Sequence, residues 1–220
     1  PHAQHDYEQL WHGLSDIEFA MPSPAKIERY MFHSTQSSFH LMPRLADRSV
    51  VIKPVDPIYI PAGQRGTLYI STPLWIAGLV DGLSEPLFDI PVIQPKDTWF
   101  GKNPQQGEIC YATSVDGRTD LELLKPRAFR AVTPIEFHNT SPHQLRFDRM
   151  SVPVPALPLF YSESTGRLWT SQIKVYYEGS EHPARVRIEN KTPPQAGEVT
   201  YVHPPRAPAS ALFNMFDSFF

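Results

Sequence analysis

The chain has 220 residues, 41% of them hydrophobic and 20% charged, which is enough apolar material to bury the core of one domain. Its 24 prolines against 11 glycines exclude long helices, because proline removes a backbone donor and clashes with the preceding turn. A formal net charge of -3 argues against nucleic acid as a partner, and a single cysteine excludes an internal disulfide and a multi-thiolate metal site.

Residues 1–26 are predicted to form an N-terminal arm with a short helix. In "HDYEQLWHGL" apolar side chains recur at Tyr7, Leu10, Trp11 and Leu14, which is the spacing of an amphipathic helix, and "AMPSPAK" ends it. The first residues lack the positive start and the apolar run of a secretory signal. With the lone cysteine, this pattern predicts a soluble cytoplasmic protein.

A single β-sandwich domain is predicted for residues 27–205. Short β-branched and aromatic runs such as "RSVVIK", "TLYIS", "LFDIPVI", "GEICYAT" and "ARVRIEN" alternate with turn clusters such as "PAGQRG" and "DGLSEP". Such spacing is typical of antiparallel all-β sandwiches and barrels. The most apolar run, "LWIAGLV", is far shorter than the roughly 20 residues of a membrane-spanning helix.

Residues 206–220 are predicted to be a tail that ends in a short helix. After the proline-rich "HPPRAPAS", the segment "ALFNMFDSFF" carries apolar residues at helical spacing. One interpretation is a terminal helix that closes the open side of its own sandwich. The other is a docking segment for a protein partner or a second subunit, with Phe213, Phe216, Phe219 and Phe220 as its contacts.

The common catalytic signatures are absent from the sequence. There is no Gly-x-Ser-x-Gly elbow, no phosphate-binding loop, no dinucleotide fingerprint and no His-Glu-x-x-His zinc helix. His138 and His143 flank a turn, but two ligands are too few for a metal site. We therefore predict no catalytic residue, no metal and no cofactor, and a binding role is favoured over catalysis.

Acidic and aromatic residues of the middle third offer two alternatives. Two carboxylates set across a sugar-sized gap could support a hydrolase, and exposed tryptophans could stack on a carbohydrate. The acids are Asp81, Glu85, Asp89, Asp97 and Glu108, and the tryptophans are Trp75, Trp99 and Trp169. Solvated acids in turns are the simpler interpretation.

The stretch "QPKDTWFGKNPQQGEICYATSV" predicts a strand, a Gly-Pro turn and a return strand. Cys110 alternates with neighbours of the opposite face and has no histidine near it in sequence, so it is interpreted as a small buried hydrophobe. Any ligand site is predicted in this stretch. Its candidate ligand-binding residues are Lys96, Asp97, Trp99, Lys102 and Glu108.

Four short motifs resemble an uncharacterised prokaryotic, largely archaeal family catalogued as domain of unknown function 432. The matching positions are Pro54, Val55, Asp56 and Pro57, then Pro73, Ile76 and Gly78, then Pro95, Lys96 and Gly101, then Gly107, Ile109 and Cys110. Phe100 stands where the family has tyrosine, and Tyr111-Ala112 replaces its Arg-Tyr. The resemblance is strongest over residues 51–115, and it implies a compact β-rich domain without an assigned activity.

Three functions follow as hypotheses. The favoured one is a non-catalytic binding or accessory domain for a protein partner. The alternatives are a carbohydrate or small-ligand binding module and a hydrolase that uses carboxylates of residues 81–108.

Overall fold

A computed structural model describes residues 28–33, 38–115, 117–127, 129–181, 184–189 and 191–208. The chain divides into two compact units, Pro1–Gln36 and Ser37–Phe220. Every strand of the described residues lies in the second unit. No helix within these ranges is long and apolar enough to cross a membrane.

The second unit is built from fifteen strands in the described residues, joined by turns and two 3-10 turns at Val154–Ala156 and Pro194–Ala196. In chain order the strands are β1 (Phe39–Leu45), β2 (Val50–Pro54), β3 (Ile58–Ile60), β4 (Arg65–Val80), β5 (Phe88–Pro91), β6 (Lys96–Asn103), β7 (Gln106–Val115), β8 (Arg130–Asn139), β9 (Leu145–Phe147), β10 (Met150–Val152), β11 (Leu159–Ser162), β12 (Arg167–Thr170), β13 (Ile173–Tyr177), β14 (Arg185–Ile188) and β15 (Thr200–His203).

The main sheet follows the order β1-β4-β8-β12-β11-β15, with β13 and β14 extending it beside β8 and β5 pairing with β4. Strand β4 is 16 residues long, and its two halves pair with different strands. Its first half pairs with β8, and its second half pairs with β1 on one side and β5 on the other. Strands β1 and β15 approach each other, so the main sheet nearly closes on itself.

A second sheet has the order β10-β2-β7-β6, and β3 pairs with β9 in a small ribbon. The predicted all-β fold is confirmed. Most pairings are antiparallel, but β2 pairs with β7, and β8 with β12 and β13, in parallel. Parallel neighbours need a crossover connection, and here other strands supply it.

The core lies between these sheets and follows the period-two alternation of the strands. In β8 the fully buried Ile135 and Phe137 point into the main core cluster. A hydroxyl row crosses this buried face, because Thr133 hydrogen-bonds Thr72 at 2.6 Å and Thr170 at 2.9 Å. Pairing the hydroxyls with each other offsets the cost of burying them.

The predicted terminal helices lie outside the described residues. The predicted boundaries after residues 26 and 205 stay predictions, while the described strands run from Phe39 to His203.

Candidate functional site

One face of the ribbon formed by β1, the second half of β4 and β5 is entirely apolar. The register sets Leu41 beside Gly78 and Gly78 beside Phe88, and the neighbouring rows hold apolar residues as well. Alternate residues of a strand share a face, so these rows make one continuous surface. We call it the apolar face, and its members are Phe39, Leu41, Pro43, Ile76, Gly78, Val80, Phe88 and Ile90.

Three side chains of the apolar face are open to solvent, whereas Gly78 and Val80 are buried within it. Phe39 and Leu41 are each 52% exposed, and Ile90 is 54% exposed. Half of three large apolar side chains amounts to about 300 Å² of surface. A continuous apolar patch of that size on a soluble domain is often an interaction site, because its exposure has a cost that covering removes.

Gly78 leaves room for two aromatic rings at the centre of this face. A Cβ atom there would lie 2.5 Å from Cε1 of Phe88 and 3.0 Å from Cε2 of Phe39. The two rings therefore lie over the glycine, with their centroids 6.3 Å apart. Ile76 and Gly78 belong to the motifs that carry the family resemblance, so that motif shapes the apolar face.

The opposite face of the ribbon carries an ion cluster. The carboxylate of Asp89 in β5 accepts hydrogen bonds from Arg44 Nη1 at 2.7 Å and from Arg206 Nη2 at 2.8 Å, and Arg206 Nη1 also contacts it. Arg206 Nε donates to the Leu45 carbonyl at 2.6 Å. Arg206 follows β15, so its side chain fastens the chain beyond β15 to both β1 and β5.

Two guanidinium groups share the carboxylate of Asp89, and the charge of Glu85 adds a smaller stabilisation of the charged form of Arg44. The side chains are only 16%, 20% and 15% exposed for Arg44, Asp89 and Arg206. Burial, and then the charge of Arg206, lower the pKa of Arg44, whose buried Nε atom has no hydrogen-bond partner in the described residues. The pKa of His203, which lies near this cluster, is also lowered, mainly by burial.

A groove lies beside the connection from β2 to β3. Its walls include Pro54, Asp56 and Pro57 on one side and Gly117 and Arg118 on the other, and its volume is about 310 Å³. The first three belong to the motif that begins the family resemblance. The groove could hold a small polar ligand, since it combines the carboxylate of Asp56 and the guanidinium group of Arg118 with walls formed by proline.

The five predicted ligand-binding residues do not line one cleft. In the β6–β7 pair, Lys96 and Glu108 lie on the face of Cys110, whereas Asp97 and Trp99 lie on the face of Tyr111. Lys102 is exposed beside a register shift between Gly101 and Asn103. The strand alternation therefore divides this set between the two sides of the sheet.

Cys110 is a packing residue, as predicted. It is fully buried and clusters with Val51 and Phe100. Burial, and then the charge of Glu108, raise the pKa of the Cys110 thiol to about 12. A thiol in that state is protonated near neutral pH, and a nucleophile must be a thiolate.

The acids of the middle third have separate surroundings. Asp81 lies 3.5 Å from His40, Asp97 lies 3.6 Å from Arg48, and Glu108 lies 3.2 Å from Ser151. Asp89 binds its two arginines, and the negative charge of Glu85 favours the charged form of Arg44. The prediction that three exposed tryptophans could stack on a carbohydrate is wrong for two of them. Trp75 and Trp169 are buried, whereas Trp99 is 43% exposed.

His138 and His143 also differ in their surroundings. His138 is buried against Tyr176, and its Nε2 atom lies 3.0 Å from Glu136 Oε1. His143 is exposed, and its carbonyl accepts hydrogen bonds from Asn139 and Ser141. The described ranges contain no group of three His, Cys, Asp or Glu residues placed to hold a metal ion.

Sequence reasoning missed the apolar face. Its signal is present as period-two apolar residues in "FHLMP", "IAGLV" and "FDI", but the same pattern describes a strand that packs into a core. The predicted partner-docking residues Phe213, Phe216, Phe219 and Phe220 lie outside the described residues.

Comparison with known proteins gives a family. A family model described as "Protein of unknown function (DUF432)" matches residues 4–219, nearly the whole chain. No curated protein and no solved structure matches the chain.

Proposed function

The chain belongs to the DUF432 family of proteins of unknown function, and we propose that it acts as a non-catalytic binding domain for a protein partner. The observation that carries this proposal is the apolar face. An exposed apolar patch of about 300 Å² is of the size that often serves as an interaction site, and in the described residues three of its side chains are more than half exposed.

The chemistry of the face defines its partner. None of its members carries a charge or a side-chain hydrogen-bonding group, so the matching surface is an apolar stripe on a helix or strand of another protein. Covering about 300 Å² at roughly 25 cal/mol per Å² would contribute about 7 kcal/mol before the costs of association. A transient or regulated complex fits that magnitude. The net charge of -3 favours a protein over a polyanion in this role.

Photo-crosslinking from the face tests the proposal. A photoreactive amino acid at Ile90, on the apolar face, should capture one protein from a cell extract, and the same group at Tyr59 is the control. Tyr59 is 53% exposed in β3, outside the apolar face. The captured protein is then purified and titrated against the full chain and its variants.

The titration decides the outcome. Ile90→Glu places a charge in the interface and should weaken binding roughly 30-fold to 100-fold, whereas Tyr59→Glu should leave the Kd unchanged. Equal binding by the wild type and the Ile90→Glu chain would contradict the proposal.

A small-ligand function is the second candidate, and the groove lined by Asp56 and Arg118 is what favours it. A ligand that binds there should raise the Tm of the full chain in a thermal-shift screen. Asp56→Asn should reduce that shift, whereas Asp120→Asn, at an exposed acid away from the groove lining, should not. Equal shifts in both variants would place the ligand elsewhere.

A cytoplasmic location belongs to the same proposal. Its support is the one cysteine of the chain, Cys110, which is a buried free thiol. A protein of a reducing compartment needs no disulfide.

A further inference from the structure

We propose that Arg127 and Arg130 form a binding site for a small oxyanion, either free phosphate or the phosphate group of a small molecule. The site lies where β8 begins, and neither arginine belongs to the apolar face or lines the groove. The proposal is therefore independent of the partner protein proposed above. Three observations carry it: the unpaired charge of Arg130, its unused hydrogen-bond donors, and the basic turn that precedes it.

Arg130 is a partly buried cation without an acidic partner among the residues that the structure describes. Burial lowers its pKa, and the positive charge of Arg127 lowers it further. A guanidinium group nevertheless stays protonated in a protein. Burial of a charge without a partner has a cost, and folding has already met that cost here. An anion that pairs with Arg130 therefore gains more than it would at an exposed arginine.

Two nitrogen atoms of the Arg130 side chain are unused. Nη1 donates to the Ser71 carbonyl of β4 at 3.0 Å and lies 3.5 Å from Oγ1 of Thr113 in β7. These contacts hold the guanidinium group in place. Nε is buried without a hydrogen-bond partner, and Nη2 also makes no hydrogen bond within the described ranges. Nε and Nη2 form one edge of the group, and such an edge binds two oxygens of a phosphate side by side.

A turn brings Arg127 next to Arg130. The backbone amide of Arg130 donates to the Arg127 carbonyl at 3.1 Å, which closes a β-turn. Residues 125–130, "KPRAFR", contain three basic residues and no acidic one. Arg127 is exposed, so its side chain is free to move onto an ion that Arg130 holds.

The charges of the site favour phosphate over a carboxylate. Two neighbouring guanidinium groups repel each other, and an anion between them replaces that repulsion with two attractive pairs. A phosphate group carries about two negative charges above pH 7, so it matches two arginines, whereas a carboxylate carries only one. The hydroxyl group of Thr113, close to Nη1, is a further donor for a phosphate oxygen.

Calorimetric titration of the purified full chain tests the proposal. Sodium phosphate is titrated into the protein in Tris chloride at about pH 8, where phosphate is mostly a dianion. Sodium chloride at the same ionic strength is the control ion, because it screens charge without offering paired oxygens. The wild type should bind one phosphate per chain with a Kd of about 1 mM or lower.

Variants locate the site. Arg127→Gln and Arg130→Gln each remove one guanidinium group and should weaken phosphate binding at least about 10-fold. Arg146→Gln is the matched control, because it makes the same charge change at an exposed arginine that pairs with Asp148 at 3.1 Å. It should change the Kd less than about 2-fold. If Arg130→Gln does not fold, Arg127→Gln carries the test, because Arg127 is exposed.

Titration with glycerol 3-phosphate distinguishes the two sources of the phosphate group. Tighter binding than that of free phosphate would identify the ligand as a phosphorylated small molecule. Weaker binding would identify it as the free ion. Either order supports the site.

Three results would overturn the proposal. The first is no saturable binding of phosphate or glycerol 3-phosphate by the wild type up to about 10 mM. The second is equal binding by the wild type and Arg127→Gln. The third is an equal loss in Arg127→Gln and Arg146→Gln, which would show a response to overall charge alone. Each of these results would leave the function proposed for the apolar face untouched.

Discussion

Removing the charge of Asp89 should destabilise the chain far more than removing an exposed charge. Its carboxylate accepts hydrogen bonds from Arg44 and Arg206, and the three side chains are only 15–20% exposed. In the Asp89→Asn variant an NH₂ group replaces one carboxylate oxygen. Its hydrogen-bond donors then face the donors of a guanidinium group. Two largely buried positive charges then face each other without the carboxylate that bound both of them.

The size of the effect follows from burial. Breaking a buried ion pair by removing one partner costs about 3–5 kcal/mol, because the remaining charge stays buried and uncompensated. The partial exposure of this cluster favours the lower end, about 3 kcal/mol. For a domain stable by roughly 5–15 kcal/mol, that loss is a large fraction. With a slope near 2–3 kcal/mol per M, the urea midpoint should fall by about 1–1.5 M.

Urea unfolding of the full chain measures this loss, and Asp97→Asn is the matched control. Asp97 is 66% exposed and 3.6 Å from Arg48, so its removal should cost less than about 1 kcal/mol. The same charge change is thus made in a buried and in an exposed pair. Combining Asp89→Asn with Arg206→Gln should cost at least about 1 kcal/mol less than the sum of the two single changes.

A loss at Asp89→Asn below about 1 kcal/mol, or no greater than the loss at Asp97→Asn, would refute the reasoning. It would mean that the cluster does not hold β1, β5 and the chain after β15 together.

Two further predictions concern titratable groups. Because the pKa of Cys110 is about 12, iodoacetamide at pH 8 should alkylate the folded chain roughly a thousand-fold more slowly than the urea-unfolded chain, and similar rates would contradict its packing role. Because burial lowers the pKa of His203 below 6.5, the unfolded chain binds the extra proton first as the pH falls, so stability should drop below about pH 6.5. Urea midpoints at pH 7.5 and 5.5 should therefore differ more for the wild type than for His203→Gln, and equal differences would refute the assignment.

The strand content was predictable because local composition dictates it. "TLYIS" and "LWIAGLV" were expected as separate short strands, and the structure joins them in the 16-residue β4. Pro73 lies inside β4 at the point where the partner strands change. A proline that interrupts a hydrogen-bond ladder looks like a strand end in sequence, but at a change of partners it removes no needed donor.

The candidate site was less predictable. The alternation in "GEICYAT" placed Cys110 in a core correctly, because period two is a local property of one strand. Lys96, Asp97, Trp99, Lys102 and Glu108 were grouped by nearness in sequence, and pairing of β6 with β7 divides them between two faces. Residues adjacent along a strand point in opposite directions, so nearness in sequence does not bring them together.

The sequence by itself determined an all-β chain, a buried unreactive cysteine and membership of a family whose motifs it carries. Only the tertiary structure decided that Phe39, Leu41 and Ile90 form one exposed surface and that Arg206 joins Asp89. The physical reason is distance along the chain: strand propensity acts within a few residues, whereas an open face and a shared carboxylate arise from strands separated by tens of residues. Arg206 and Asp89 are 117 positions apart.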